Sequence, residues 1–181
     1  MPRVLVPLAQ GCEELEAVTV IDILRRAGVE VVTVGLTPGP VRASRGVVIL
    51  PDSILDAVLA ESFDMIVLPG GKEGAERLGA DTRIRDLLRR MAAEGRYVAA
   101  ICAAPAVLAK AGLLDGRRAT AFPGILDRVT ELTSSAEAVV RDGTIVTSRG
   151  PGTALDFALE LVRLLQGDAV KAAVEAPLQR S

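Results

Sequence analysis

Short apolar runs alternate with amphipathic segments along the whole chain. The apolar runs are rich in Val, Leu, Ile and Ala and have almost no polar positions, which is typical of strands buried on both faces of a parallel sheet. Each run is short and ends in loop-forming residues. The pattern predicts strands over residues 3–8, 29–34, 64–68 and 97–101.

The segments between these strands have helical spacing. In residues 82–93, for example, Ile84, Leu87, Leu88 and Met91 fall on one face. The alternation of strand and helix predicts an α/β fold with a mainly parallel sheet and helices on both faces. The predicted helices cover residues 13–27, 82–93, 104–111, 151–165 and 169–174.

Two further segments have the pattern of antiparallel hairpins. Residues 41–50 turn around Ser44-Arg45-Gly46, and residues 136–141 and 144–147 flank Asp142-Gly143, a favoured two-residue turn. No linker, internal repeat or low-complexity segment interrupts the chain. We therefore expect a single domain spanning residues 1–181.

Composition narrows the functions that this domain can have. Half of the 181 residues are hydrophobic, the formal net charge is −2, and no basic run is longer than a pair. We therefore expect no sequence-specific nucleic-acid binding and no attraction to an anionic membrane surface. No apolar stretch approaches the roughly 20 residues of a membrane span, and no signal-peptide pattern is visible. Two cysteines without paired spacing favour free thiols in the cytoplasm.

The chain contains no histidine. This absence excludes Ser-His-Asp and Cys-His catalytic groups and every zinc site that needs a histidine, so we expect no metal. Any catalysis must use cysteine, carboxylates, arginine, lysine or the single tyrosine, Tyr97.

Cys102 is the strongest candidate for a reactive residue. It follows a predicted strand and precedes a predicted helix, with small residues on both sides, which suits a tight strand-to-helix turn. A helix N-terminus beyond the turn would favour the thiolate and lower the pKa of the thiol. The alternative is a buried structural cysteine, and the local sequence does not decide between the two. Cys12 is expected to be a small filler near its loop rather than a second reactive thiol.

Other loops carry candidate partners for this thiol. Gly70-Gly71 can offer a backbone N–H to an oxyanion, or can be only a turn. Glu16 can be a carboxyl whose pKa is raised by burial, or a solvated helix charge. Arg45 and Arg149, each in a Ser-Arg-Gly loop, can be anion partners or solvated loop residues.

Four motifs, in this order and spacing, resemble the ThiJ/PfpI superfamily and, within it, the branch containing bacterial YajL and the Parkinsonism-associated deglycase. The resemblance covers essentially the whole chain and implies a flavodoxin-like three-layer sandwich that is usually a homodimer. The motifs are Glu13-Glu14-Leu15-Glu16-Ala17-Val18, Leu68-Pro69-Gly70-Gly71, Ala100-Ile101-Cys102-Ala103-Ala104-Pro105 and Thr147-Ser148-Arg149-Gly150-Pro151-Gly152-Thr153.

The resemblance also implies roles for the residues of these motifs. Cys102 corresponds to the family nucleophile and oxidation-sensitive cysteine. Glu16 corresponds to its partner carboxyl, expected to be protonated. Gly71 and Ala103, beside Gly70, correspond to the amides of an oxyanion hole.

Residues outside the motif centres include one departure from the family pattern. Arg45 corresponds to the anion-contacting arginine, and Arg26 to an arginine that reaches across the dimer. Phe122 stands where animal relatives of the family carry a histidine. The YajL-like bacterial members also have a phenylalanine at this position. Ala103 occupies the position of the histidine in PfpI-type proteases, which excludes a Cys-His protease.

The resemblance implies a cysteine-dependent enzyme without a cofactor, of deglycase (hydrolase) or glyoxalase type. Its substrates would be small dicarbonyls such as methylglyoxal and glyoxal, or their adducts with proteins and nucleotides, and its role would be protection against carbonyl and oxidative stress. The alternative is a redox sensor or stress chaperone whose Cys102 oxidises to a sulfinate. A weaker third interpretation is a module that binds a small carboxylate or phosphate.

Overall fold

The computed structural model describes residues 1–180, which form eleven short strands and seven α-helices. The strands are β1 (Arg3–Leu8), β2 (Glu30–Gly35), β3 (Val41–Arg42), β4 (Val48–Ile49), β5 (Ser53–Ile54), β6 (Met65–Leu68), β7 (Tyr97–Ile101), β8 (Arg118–Ala119), β9 (Thr133–Ser134), β10 (Val139–Asp142) and β11 (Ile145–Ser148). The helices are α1 (Glu14–Arg26), α2 (Leu55–Val58), α3 (Lys72–Ala80), α4 (Thr82–Ala93), α5 (Pro105–Lys110), α6 (Ala154–Gln166) and α7 (Asp168–Glu175).

Seven strands form the central sheet in the order β10-β11-β7-β6-β1-β2-β5. The pair β10–β11 is antiparallel, and the other neighbours are parallel. Helices cover both faces, which confirms the predicted α/β fold of flavodoxin-like type.

Side chains of the central strands alternate between two apolar layers. Leu5 of β1 belongs to the layer under α3, α4 and α5, whereas Val4 and Val6 belong to the layer under α1 and α6. All three are fully buried. A strand covered on both faces needs apolar residues at every position, which explains the continuous apolar runs of the sequence.

The largest element that sequence analysis misses is α3. Glycines at positions 74 and 79 weaken its helical pattern in the sequence because glycine costs about 1 kcal/mol relative to alanine inside a helix. The edge strand β5 is also missed, since two residues are too few to make a pattern.

The predicted hairpins form, with one shift of register. β3 and β4 pair antiparallel as predicted. In the second hairpin Asp142 pairs with Ile145, so the two-residue turn is Gly143-Thr144 and not Asp142-Gly143. Among residues 1–180, no helix combines the length and the apolar composition needed to cross a membrane.

Candidate active site

The carboxyl ends of three neighbouring strands bring the candidate residues together. Cys102 directly follows β7, Gly70 follows β6, and Glu16 lies in the first turn of α1 after β1. At β1 the chain moves outwards to β2 and then returns to β6 on the other side. Open α/β sheets bind their ligands at such a reversal of strand order.

Cys102 has a strained backbone. Its φ is +64°, a left-handed conformation that only Gln179 shares among the non-glycine residues 1–180. Such a conformation costs about 1–3 kcal/mol and persists only where neighbouring structure holds it. The Cys102 N–H donates to the Ser148 carbonyl (3.0 Å), and its carbonyl accepts from the Phe122 N–H (2.9 Å). The structure therefore contains the tight strand-to-helix turn that the sequence predicts.

Glu16 is a buried carboxyl beside this thiol, with a side chain that is 0% exposed. Its Oε2 accepts a hydrogen bond of 2.8 Å from the Gly70 N–H, and the Cys102 thiol lies within hydrogen-bonding reach of the carboxyl. Oε1 is buried and has no donor with regular hydrogen-bond geometry among residues 1–180. Burial, helped by the charge of Glu13, raises the pKa of Glu16 to about 7.

The pKa of Cys102 moves in the direction opposite to the one predicted from its turn. Burial raises the pKa of the thiol most, and the charge of Glu16 and the hydrogen bond to Glu16 raise it further, to about 12. The N–H groups of Gly71 and Ala103 act in the opposite direction and lower this pKa. The predicted lowering is therefore wrong while Glu16 is ionised. Two of the three raising causes vanish when Glu16 is protonated. A thiolate at Cys102 is therefore favoured when Glu16 is protonated. At pH values between the pKa of Glu16 and the pKa of Cys102, the two groups hold one proton between them.

Two glycines allow these groups to approach one another. A Cβ on Gly70 would lie 2.5 Å from the Cβ of Cys102 and 2.6 Å from Oε2 of Glu16. Gly71 has φ +84°, and a Cβ there would lie 2.4 Å from the carbonyl oxygen of Gly11. Any side chain at either position would therefore displace the thiol, the carboxyl or the loop after β1.

A cavity of about 540 Å³ opens over Cys102, with Gly71 and Ala103 beside the thiol. Phe122 forms part of its wall and is 50% exposed, and Arg45 lies at its edge. The remaining lining residues are Glu13, Lys72, Ala75, Glu76, Ala106, Val107, Lys110, Pro123, Ile125 and Pro151.

A second cavity of about 370 Å³ lies over the ends of β1 and β2. Its two arginines are already paired: Arg77 with Glu73 and Arg83 with Asp81. Cys102 is not among its lining residues. The larger cavity is therefore the better candidate for substrate binding.

Residues 2–164 match the DJ-1/PfpI family. The chain belongs to this family. It is 45% identical over 166 residues to the protein dj-1beta of Drosophila melanogaster, a match that covers 90% of this chain and 89% of the relative. The crystal structure of Drosophila DJ-1beta superposes with a TM-score of 0.96 at 42% identity and covers 99% of this chain and 98% of that one.

Two further relatives are similar to this DJ-1/PfpI chain. A structure of Toxoplasma gondii DJ-1, described as oxidized, superposes with a TM-score of 0.96 at 40% identity and covers all of both chains. A Caenorhabditis elegans protein named glutathione-independent glyoxalase DJR-1.2 is 36% identical over 160 residues, covering 87% of this chain and 85% of the relative.

The structure does not bring every predicted residue to the Cys102 cavity. Arg26 lies in the last turn of α1, where it pairs with Asp22 at 2.6 Å, and it is not among the cavity's lining residues. Arg149 donates to the Ala136 carbonyl instead of facing the cavity. Cys12 is fully buried, as the prediction of a small filler requires, and burial raises its pKa to about 11.

Sequence analysis missed four charged residues of the cavity. Glu13 lies in one of the four motifs, where the sequence indicated no role for it, whereas Lys72, Glu76 and Lys110 lie outside the motifs. Nothing in the local sequence links the two lysines, because their place in one cavity depends on the packing of α3 against α5. Within the described chain, no three residues among His, Cys, Asp and Glu form a cluster that could hold a metal ion.

Proposed function

We propose that the chain is a cysteine-dependent, cofactor-independent enzyme of glyoxalase or deglycase type, acting on methylglyoxal or glyoxal and on their adducts with proteins and nucleotides. The observation that supports this best is the contact between the Cys102 thiol and the buried carboxyl of Glu16. A pKa of about 7 lets Glu16 both give and take a proton near neutral pH. The similarity to a relative named as a glyoxalase supports the same class.

The first step is addition of the Cys102 thiolate to the aldehyde carbon of methylglyoxal. The new C–S bond forms as the carbonyl electron pair moves to oxygen. The N–H groups of Gly71 and Ala103, which face the sulfur, are placed to stabilise this oxyanion. Glu16 gives its proton to the oxygen, which completes a hemithioacetal.

The second step is an internal redox reaction. Glu16, now a carboxylate, removes the proton from the former aldehyde carbon, and the electron pair forms an enediolate. Glu16 returns the proton to the neighbouring carbon while the hydroxyl proton moves from the first oxygen to the second. The first carbon is oxidised and the second reduced, which gives a lactoyl thioester. Water cleaves this thioester, and lactate and the free thiol leave.

Adducts bind in the cavity with their carrier attached, and they lose it there before the same sequence of steps begins. A hemiaminal or hemithioacetal that expels its amine or thiol regenerates the aldehyde, which Cys102 then attacks. Because Glu16 is the single proton carrier in contact with the thiol among residues 1–180 and the chain has no histidine, we expect slow turnover.

Lactate production from methylglyoxal tests this proposal. We expect loss of lactate formation in Cys102→Ser and Glu16→Ala, while Cys12→Ala, which changes the other cysteine, retains it. Equal rates in the wild type, Cys102→Ser and Glu16→Ala would exclude the proposed enzyme.

A second candidate function is redox sensing, and the oxidized form of the Toxoplasma relative favours it. Two molecules of peroxide would convert the Cys102 thiolate into a sulfinate and release two molecules of water. The N–H groups of Gly71 and Ala103 are placed to receive the sulfinate oxygens. Intact-mass analysis after mild peroxide checks this: we expect addition of two oxygens in the wild type and none in Cys102→Ala. Addition that is equal in both proteins would contradict it.

We also propose a cytoplasmic homodimer, in which α1 and the β3–β4 hairpin meet a second copy. Leu15 and Val18 on α1 are about half exposed, and Leu50 beyond the hairpin is 76% exposed. The hairpin is tied to α1 by the Arg45 N–H, which donates to Glu14 at 2.8 Å, so these side chains belong to one surface. Arg26 lies on the same stripe of α1 as Leu15 and Val18, as expected for a residue that reaches the partner.

A further inference from the structure

Two of the chain's three lysines line the cavity over Cys102. The other 18 basic residues are arginines, so lysine is rare in this chain and concentrated at the site. Lys72 is the first residue of α3, and Lys110 is the last residue of α5. The Nζ of Lys110 lies 3.6 Å from the place where a Cβ on Gly79 would be, so its ammonium sits between the two helices.

These two lysines are free to bind an anion. Among residues 1–180, neither lysine forms a salt bridge, and Arg45 at the cavity edge forms none either. Two carboxylates share the cavity. Glu13 already accepts a hydrogen bond of 2.9 Å from the Ser44 hydroxyl. Even with Glu76 counted, the cavity has two carboxylates against the three cations, so positive charge is in excess.

The cavity is larger than a small dicarbonyl requires. Methylglyoxal has five non-hydrogen atoms and fills about 150 Å³ if each atom takes the roughly 30 Å³ of one water. The cavity holds about 540 Å³. Most of it is therefore available to the carrier of an adduct, and apolar side chains such as Ala75, Ala106 and Val107 line that space.

We propose that this cavity selects adducts whose carrier bears a carboxylate or phosphate beside an apolar portion, and that Lys72 and Lys110 attract the anion. A lysine ammonium is a flexible point charge, so it selects for negative charge more than for one anion geometry. The apolar walls strengthen its field at the thiol. The inference rests on the proposed function for its substrate class, although its electrostatic part can be measured without turnover.

Alkylation of Cys102 by iodoacetate and iodoacetamide provides that measurement. The two reagents have nearly the same shape and differ by one negative charge, and the thiolate displaces iodide from both. Both reagents react with the same thiolate, so the ratio of the two alkylation rates does not depend on the fraction of Cys102 that is ionised. We expect this ratio to exceed that of a free reference thiol, N-acetylcysteine amide, and to fall in 0.5 M salt because salt screens the cations.

Variants assign the effect to the two lysines. The double variant Lys72→Gln, Lys110→Gln should lower the iodoacetate-to-iodoacetamide ratio about fivefold at low ionic strength. Glu76→Gln should raise it, since a carboxylate is removed from the same cavity. Lys171→Gln, which removes the third lysine outside the cavity, is the matched control and should not change the ratio. A wild-type ratio equal to that of the reference thiol, or an unchanged ratio in the double variant, would overturn the inference.

Turnover then tests the substrate class separately from the proposed function. Methylglyoxal adducts of N-acetylcysteine and of N-acetylcysteine amide differ only in the carboxylate. We expect a higher kcat/KM for the carboxylate adduct, and loss of that preference in the double lysine variant. Turnover of both adducts at equal kcat/KM would overturn the inference and leave the proposed function standing. Turnover of neither would overturn the proposed function, while the alkylation ratio would still decide the role of the lysines.

Discussion

The amide of Gly70 donates a hydrogen bond of 2.8 Å to Oε2 of Glu16, and this bond joins the loop after β6 to the first turn of α1. It uses one carboxyl oxygen and leaves Oε1 buried without a regular donor in the described part of the chain. A carboxyl in this setting favours its neutral, protonated form. The Gly70–Glu16 bond therefore positions a proton donor beside Cys102.

The substitution Glu16→Gln should lower the pKa of Cys102. Glutamine preserves the size of the side chain but cannot carry the negative charge that opposes the thiolate. The rate of iodoacetamide alkylation, measured against pH, should reach its midpoint at lower pH in the variant than in the wild type. Glu73→Gln, an exposed carboxylate paired with Arg77, serves as the control and should leave the midpoint in place. Identical midpoints in Glu16→Gln and wild type would show that Glu16 does not act on the thiol.

The stability of the protein should fall between pH 5 and pH 8 because of Glu16. Its pKa is about 7 in the folded protein, against an ordinary value of 4.5 in the unfolded chain. The folded state therefore binds the proton more tightly. The stabilisation is complete below pH 4.5 and is lost as the pH rises through 7. The loss should be about 2–3 kcal/mol in the free energy of unfolding.

Urea unfolding at the two pH values measures this effect. Glu16→Gln should remove most of the loss, since glutamine does not titrate. Glu14→Gln should retain it, because hydrogen bonds lower the pKa of Glu14 and its titration falls below this pH range. A wild-type loss that persists unchanged in Glu16→Gln would contradict the prediction.

The substitution Gly70→Ala should destabilise the fold and disturb the site together. The new methyl group would lie 2.5 Å from the Cβ of Cys102 and 2.6 Å from Oε2 of Glu16, so one of the two must move. Overpacking of this kind costs about 1–3 kcal/mol. Gly152→Ala is the matched control, since no atom lies within 4 Å of a Cβ at that position. Chemical unfolding and the Cys102 alkylation profile should change in Gly70→Ala and remain near wild type in the control.

The substitution Leu15→Asp should disrupt the proposed dimer without unfolding the chain. Leu15 is half exposed on α1, so the folded protomer tolerates a charge there, whereas an apolar interface does not. Sedimentation should show a dimer for the wild type and a monomer for the variant, with unchanged circular dichroism. Lys171→Asp on α7 is a surface control that should remain dimeric. A wild-type chain that sediments as a monomer at micromolar concentration would refute the interface.

The helix that the sequence missed lies directly beside the active site. Glycines at positions 74 and 79 conceal α3 in the pattern, yet α3 carries Lys72 and one wall of the cavity. The turn Gly143-Thr144 was misplaced by one residue because strand pairing, and not the turn residues alone, sets the register.

The sequence by itself determined the layered α/β fold. Strands covered on both faces need uninterrupted apolar runs, and such runs are visible directly in the sequence. Its motifs also singled out Cys102, Glu16, Gly70 and Gly71, through resemblance to a family. Only the tertiary structure decided the direction of the Cys102 pKa shift, since burial and the charge of Glu16 depend on how β7 and α1 meet. It alone decided that Lys72 and Lys110 share one cavity and that Arg26 lies elsewhere, because electrostatic environment is a property of distance in space and not of spacing along the chain.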